Sequence, residues 1–216
     1  MNLIEIKSLK TDAAKQARHL LVKSFIDNPV SVHVFDNFIP EKRENKLYKL
    51  YSGFVNTAID CGVADAIYLN DELAGISLAY PPGSYPFSIW TWVRNGIGGM
   101  FLGVKYTWRL ALLDAVIRKK HIHEKHWYLF VLGVAPHLQG KGLGGRLVSK
   151  MSEKADLNAM PCYLETDKPE NINFYKSQGY QLTGEESLPS LNNLKIWYMM
   201  RPAEKIRTGI STGDLP

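Results

Sequence analysis

The stretch LFVLGVAPHLQGKGLGGRLV, Leu129 to Val148, decides how this chain is read. It opens as an apolar, β-forming run and breaks at Pro136 into a glycine-rich turn. Leu143 and Leu147 then recur at the spacing of a helix face. A strand that passes through glycines into a helix gathers backbone N–H groups around one point, with the positive end of the helix dipole behind them. Gln139, Gly140, Lys141, Gly142, Leu143 and Gly144 therefore read as an anion cradle, and a phosphate-bearing cofactor is the occupant they suit.

Three readings compete for this turn. A P-loop needs Gly-Lys followed by Ser or Thr to hold magnesium, and here Gly142 follows Gly140-Lys141, so that reading fails. Gly140, Gly142 and Gly145 satisfy the dinucleotide fingerprint G-x-G-x-x-G, with Glu165 twenty residues beyond Gly145 at the end of a predicted strand. Against it, the fingerprint's first glycine ends its strand directly, whereas Ala135 to Gln139 intervene here. A plain tight turn is the third reading. It leaves unexplained why glycines, each costing a helix about 1 kcal/mol relative to alanine, open this one.

Outward from the turn, the chain alternates strands and helices. Asn2 to Leu9 has strand alternation. Thr11-Asp12 then caps a helix with Ala13, Ala17, Leu20, Leu21 and Phe25 on one face, ended by Asn28-Pro29. A second helix is predicted over 41–60, followed by strands 63–69 and 72–80 joined at Asn70-Asp71. Residues 84–120, rich in tryptophan and glycine, form a helical insertion, read as a packing layer over the sheet or as an apolar wall for an acceptor. Strand 127–134, the glycine turn and a helix to about Asn158 follow. After them come strand 162–166, a short helix 169–178 and a closing hairpin, 180–188 with 194–200. The chain is expected to be a single α/β domain over residues 1–201 with a tail over 202–216.

Composition narrows the function classes. With 216 residues, 45% hydrophobic and 22% charged, the chain has the make-up of an ordinary globular protein. Its net charge of +5 comes from basic residues interspersed with acids, as in Glu41-Lys42-Arg43-Glu44, so no nucleic-acid partner is expected. A mildly basic surface instead suits a polyanionic cofactor. Cys61 and Cys162 are far apart and match no metal-ligand spacing, which favours a reducing, cytoplasmic setting. No signal segment is read in Met1 to Lys10. The apolar run Gly96 to Val104 is far below the ~20 residues that span a bilayer, so no membrane anchor is expected. His123-Glu124-Lys125-His126 is one residue short of H-E-x-x-H, so solvated loop histidines and no metal are expected.

Two blocks resemble the GNAT superfamily of acyl-CoA-dependent N-acetyltransferases over roughly residues 127–180. The first runs from Leu132-Gly133-Val134 through Pro136 into Gln139 to Gly144, similar to the family's Q/R-x-x-G-x-G/A pyrophosphate loop. The second is Leu164-Glu165-Thr166 followed by Asn171-Ile172-Asn173-Phe174-Tyr175-Lys176 and Gly179-Tyr180, similar to N-x-x-F-Y-x-x-x-G-F with tyrosine at the last position.

The resemblance implies a mixed twisted sheet with helices on both faces and the helical insertion between the third and fourth strands. It implies acetyl-CoA as co-substrate, with its pantetheine arm between splayed strands, pairing with backbone at Leu132 and Val134. Its pyrophosphate would rest on the amides of Gln139, Gly140, Lys141, Gly142, Leu143 and Gly144. Lys141 or Arg146 either meets outer phosphates or is an exposed helix-start cation. Asn171 either contacts pantetheine or caps its helix. Tyr175 faces the thioester sulfur and assists thiolate departure. The acceptor attacks directly in a ternary complex and must do so as a free base; for an alkylamine of pKa ~10.4 that costs about 4.6 kcal/mol at neutral pH. Glu165, at a strand end near the splay, is the first candidate base and His126 the second.

The acceptor is expected to be a primary amine, of a small molecule ahead of the peptide or protein amines that stay open, contacted by Ser31 to Phe38 and by the 84–120 insertion. An NAD-type oxidoreductase and a non-catalytic acyl-CoA sensor are the rival functions.

Overall fold

The computed structural model describes residues 3–35, 40–96 and 102–204. Strand β1 (Ile4–Ser8) leads through a 3-10 turn (Thr11–Ala13) into α1 (Ala14–Phe25), α2 (Pro29–Val34) and α3 (Pro40–Cys61). The hairpin β2 (Val63–Leu69) and β3 (Glu72–Tyr80) follows, then α4 (Ile89–Arg94) and α5 (Val104–Lys120). Next come β4 (Trp127–Val134), α6 (Leu143–Asp156), β5 (Cys162–Thr166), α7 (Glu170–Ser177), β6 (Gln181–Leu188) and β7 (Leu194–Arg201). The seven strands form one sheet in the order β1-β2-β3-β4-β5-β7-β6. Only β4 and β5 are parallel, because α6 carries the chain back between them. The expected mixed sheet forms, with α4 and α5 inserted between the third and fourth strands.

Local chemistry explains the boundaries. Asn70 and Asp71 both take positive φ, 51° and 65°, the conformation a two-residue hairpin turn demands and these residue types tolerate. Asn28 does more than end a helix. Its side chain accepts from Val30 N–H and Pro29 follows at the first helical position, so Asn28-Pro29 starts α2, an element the sequence periodicity is too short to show. Thr11-Asp12 opens a 3-10 turn instead of capping α1, with Asp12 Oδ1 accepting from Ala13 N–H at 2.7 Å.

Helices cover both faces. A Cβ on Gly133 would meet Leu21 and Phe25 of α1, whereas one on Gly144 of α6 would approach Val134 and Leu132, so adjacent β4 residues face opposite layers. Helices α1 and α3 pack on β3 from one side. On the other, Val148, Met151 and Ala155 of α6 bury against Leu129, Leu164 and Cys162.

Two irregularities in β4 shape what lies at its end. Ala79 pairs with Leu129 and Leu78 with Val131, so Phe130 is skipped as a β-bulge. The bulge resets side-chain alternation: Phe130 packs against Phe54 of α3 while Gly133, three residues on, still faces α1. Pairing to β5 runs from Trp127–Cys162 to Leu129–Leu164 and stops, leaving β4 to continue to Val134 beside an open wedge.

The far end of α6 is held by a fork. Arg201 Nη1 and Nη2, at the end of β7, donate to Asp156 Oδ1 and Oδ2 at 2.8 and 2.7 Å. These bonds from Arg201 hold the Asp156 carboxyl below the usual carboxylate range. No helix among the described residues is long and apolar enough to cross a membrane.

Asp156→Asn is expected to destabilise the protein by about 1 to 3 kcal/mol at pH 7, roughly 2 to 10 °C in Tm for a chain of this size. Because the folded pKa is depressed, the contribution is present above the unfolded value near ~4 and is lost as pH falls through the folded one. Thermal melts of both forms should therefore converge under acid conditions; a gap that persists there would show that the fork is not its source.

Candidate functional site

The glycine turn is built as a row of unpaired donors. Gly140 and Gly142 have φ of 76° and 75°, in the left-handed region, and a Cβ on either would meet nothing within 4 Å. Arg146 N–H bonds to Gly142 C=O at 3.2 Å, and the amides of residues 140–145 ahead of it have no acceptor among the described residues. Three of these are the orphan donors every helix start leaves; the turn adds the others to the same locus. Gln139 holds the turn against the strand, its Nε2 donating to the Val134 carbonyl at 3.1 Å, which also accepts from Ser24 Oγ at 3.0 Å.

In front of these amides lies a cavity of about 430 Å³ that brings together Leu132, Val134, Gln139, Gly140, Gly142, Leu143, Gly144, Asn171 and Tyr175. Ala135 N–H bonds back to Ala74 on β3, so by alternation the backbone groups of Leu132 and the N–H of Val134 face the wedge, the Val134 carbonyl being taken by Ser24 and Gln139. Open amides around a cleft between diverging strands fit a diphosphate with an extended arm. Lys141 is exposed outside the cavity lining, and Arg146 is exposed too, whereas Lys168, which sequence reasoning did not select, lines it. Asn171 does not cap α7: its Nδ2 donates to Thr166 Oγ1 at 3.0 Å, fixing the side chain at the cleft.

Tyr175, in the middle of α7, is buried, and its hydroxyl has no hydrogen-bond partner among the described residues. Burial, helped by the negative charge of Asp167, pushes the phenol well above its ordinary pKa, so it is a donor throughout the working range. Tyr175, Asn171, Asn28, Phe25 and Leu132 also line a second cavity of about 210 Å³, so the two spaces meet at Tyr175.

This second cavity is mostly apolar. Phe25, Val34, Phe35, Phe54, Phe130 and Leu113 supply its walls, and its lining contains no Lys, Arg or His. Leu110, Leu113 and Ile117 of α5 line this cavity, so part of the insertion borders it, while its Trp90 and Trp108 face outward. Ser31 to Phe35 contribute through Ser31, Val34 and Phe35; the remainder of the expected 31–38 segment lies outside the described residues.

Its charged groups are two carboxylates, Glu165 and Asp167, beside the polar Asn28, Ser31, Thr166 and Asn171. Glu165 is only 8% exposed and its Oε2 accepts from Tyr128 Oη at 2.6 Å. Asp167, absent from the sequence reading, accepts from Asn28 Nδ2 at 3.0 Å and from Val30 N–H at 2.7 Å. Burial raises the Asp167 carboxyl while these bonds oppose the shift. Both of its oxygens are engaged, so it anchors α2 to the site and Glu165 keeps the freer oxygen. The signal that would have found Asp167 is its place directly after the β5 strand end, opposite an Asn-Pro helix start.

His123 is exposed as expected, whereas His121 and His126 depart from the expectation of solvated loop residues: their rings lie tilted to each other with centroids 4.7 Å apart, and His121 lies 4.7 Å from Tyr163. Among the described residues no group of three His, Cys, Asp or Glu side chains is placed to hold a metal ion.

Comparison with known proteins agrees with this geometry. The sequence profile of the Acetyltransferase (GNAT) family matches residues 63–180. An uncharacterized N-acetyltransferase of Schizosaccharomyces pombe is 25% identical over 193 residues, covering 81% of this chain and 73% of its own. Among solved structures, a histone acetyltransferase HPA2 and related acetyltransferase from Corynebacterium glutamicum has a TM-score of 0.66 at 16% identity, covering 93% of this chain and 97% of its own. The Drosophila melanogaster polyamine N-acetyltransferase has a TM-score of 0.64 at 16% identity, covering 93% and 100%. Arylalkylamine N-acetyltransferase 2 from Aedes aegypti has 0.60 at 16%, covering 93% and 99%.

Asparagine tolerates left-handed φ and aspartate has the same shape with a charge. Gly142→Asp is thus expected to bind coenzyme A at least about tenfold more weakly than Gly142→Asn, since a like charge near 4 Å costs several kcal/mol at a protein surface. Calorimetric titration reads the difference, and equal affinities for the two variants would displace the diphosphate from this turn.

Proposed function

The chain belongs to the acetyltransferase (GNAT) family and is an N-acetyltransferase dependent on acetyl-CoA, and from that premise we propose that its acceptor is a small primary amine carrying an apolar, aromatic-compatible arm. The observation that carries this reading is the second cavity: apolar on most sides, with no Lys, Arg or His in its lining among the described residues, and bearing two carboxylates. An ammonium group is drawn to that end and the arm to the wall formed by α3 and α5, where each buried CH₂ contributes about 0.8 kcal/mol. A peptide backbone entering the same space would bury amides against side chains that offer them few partners.

In this reading the cleft beside the glycine turn holds the co-substrate, and Leu132 and Val134 pair with its arm. Acetyl-CoA, when bound, supplies the activated acyl carbon. Tyr175, where the two cavities meet, donates a hydrogen bond to the departing sulfur. A phenol that burial holds above its usual pKa supports thiolate departure by hydrogen bonding rather than by full proton transfer. Glu165 takes the acceptor's proton, oriented by Tyr128 Oη at 2.6 Å. Asp167 fixes α2, and with it Val34 and Phe35, against the acceptor space.

Tyr175→Phe is expected to lower kcat by about ten- to a hundredfold with coenzyme A affinity unchanged, because a hydrogen bond made chiefly in the transition state is lost. Steady-state rates under chemistry-limited conditions, beside calorimetry, test this; an undiminished kcat would remove Tyr175 from the chemistry. A coenzyme A release screen over phenylalkylamines, polyamines and peptide N-termini tests the acceptor class, and turnover confined to the peptides would overturn the small-amine reading.

A further inference from the structure

Next to Glu165, and outside the lining of the acceptor cavity, stand two half-buried histidines. His121 Nδ1 stands 3.5 Å from Glu165 Oε1. His121 Nε2 is 2.9 Å from His126 Nε2, and His126 Nδ1 is 2.7 Å from the Glu124 carbonyl. A carbonyl only accepts, so His126 carries its proton on Nδ1 and its Nε2 is an acceptor; the bond between the rings then requires His121 to donate from Nε2. The Nδ1 lone pair of His121 is thereby turned toward Glu165, and a proton arriving on Glu165 is one short step from it. Among the described residues neither Glu165 Oε1 nor His121 Nδ1 has a hydrogen-bond partner, although both atoms are buried.

The line ends in solvent. His121 and His126 border a surface depression of about 320 Å³ rimmed by His123, Glu124 and Lys125, and none of its lining residues lines the acceptor cavity.

We infer that Glu165, His121 and His126 form a proton relay that carries the acceptor's proton through the protein to this depression. The inference rests on the reading of Glu165 as the base. In the step, an N–H bond of the ammonium breaks as an O–H bond forms on Glu165. That proton passes to His121 Nδ1 while the Nε2 proton of His121 passes to His126 Nε2, and the resulting imidazolium releases its Nδ1 proton to water. Ring rotation restores the starting tautomers.

The surroundings favour transfer along the line. The groups facing His121 from β4, β5 and the loop after β3 are neutral phenols, Tyr128, Tyr163 and Tyr85, kept protonated by burial. On α5 and the loop after it, Arg118 is paired with Asp114 and Lys120 with Glu186 of β6. Burial lowers the pKa of His126, against the pull of the Glu124 carbonyl, so it is a neutral acceptor near pH 7.

Imidazole ¹⁵N NMR on the full chain tests the coupling without any acceptor. His126 is expected to carry its proton on Nδ1, and its titration to shift by roughly half a pH unit or more in Glu165→Gln, transmitted through His121. A His126 that ignores Glu165→Gln overturns the relay. With 2-phenylethylamine as probe acceptor, His126→Ala and His126→Gln are expected to lower kcat by about tenfold or more with the KM for acetyl-CoA unchanged. Imidazole added to the buffer should restore His126→Ala, by entering the depression it opens. An unchanged kcat, or a loss that imidazole leaves untouched, refutes the relay. Full activity in Glu165→Gln refutes the base itself, whereas a slow Glu165→Gln beside a fast His126→Ala refutes the relay alone.

Discussion

Strands β4 and β5 pair for only three residues and then part, and the rest of the site follows from that divergence. A parallel pair that continued to Val134 would satisfy the backbone of Leu132 and Val134 within the sheet and would leave no wedge. Because pairing stops at Leu129 and Leu164, the sheet's own hydrogen-bonding edge becomes a binding surface, and the elements following each strand, the glycine turn after β4 and α7 after β5, face one another across it. Backbone polar groups that a fold normally consumes internally are left for a ligand.

The divergence is held from outside. On one edge, β3 pairs with β4 to its end and absorbs the Phe130 bulge. On the other, β7 pairs with all of β5. Each strand is thus fixed by its outer neighbour and not by its inner one. The bulge matters because it turns Phe130 toward the acceptor wall while Leu132 and Val134 stay on the cofactor side, so one strand lines two spaces. Tyr175 and Asn171 sit where those spaces meet because α7 starts directly after β5, with Asn171 pinned to Thr166 at the strand end.

Electrostatics divides the site in the same way. The cavity beside the glycine turn presents amide dipoles and Lys168, whereas the apolar cavity presents Glu165 and Asp167 amid aromatic rings. In the proposed reading an anion and a cation are guided to opposite sides of Tyr175 by short-range fields that the apolar walls screen weakly. Of the buried tyrosines around Glu165, Tyr128 donates its hydroxyl to the carboxylate, while the hydroxyls of Tyr163 and Tyr198 have no hydrogen-bond partner among the described residues.

Sequence reading alone determined what depends on neighbours along the chain. The hairpin at Asn70-Asp71, the strand and glycine turn at 127–144, the amphipathic stripe of α6 and the boundaries of β5 all follow from local periodicity and backbone sterics, which one chain segment expresses by itself. Gly140 and Gly142 were legible as cradle residues for the same reason: left-handed φ is a local demand. Only the tertiary structure decided what depends on distant segments. It paired Asp167 with Asn28 and Val30, brought His121 and His126 beside Glu165, and placed α5 along the apolar cavity. Short α2 carried too few residues for a period, and the histidines looked solvated because their partners lie on β4, β5 and the loop after β3, brought near by sheet order. Sheet order is a global packing outcome with no local signature.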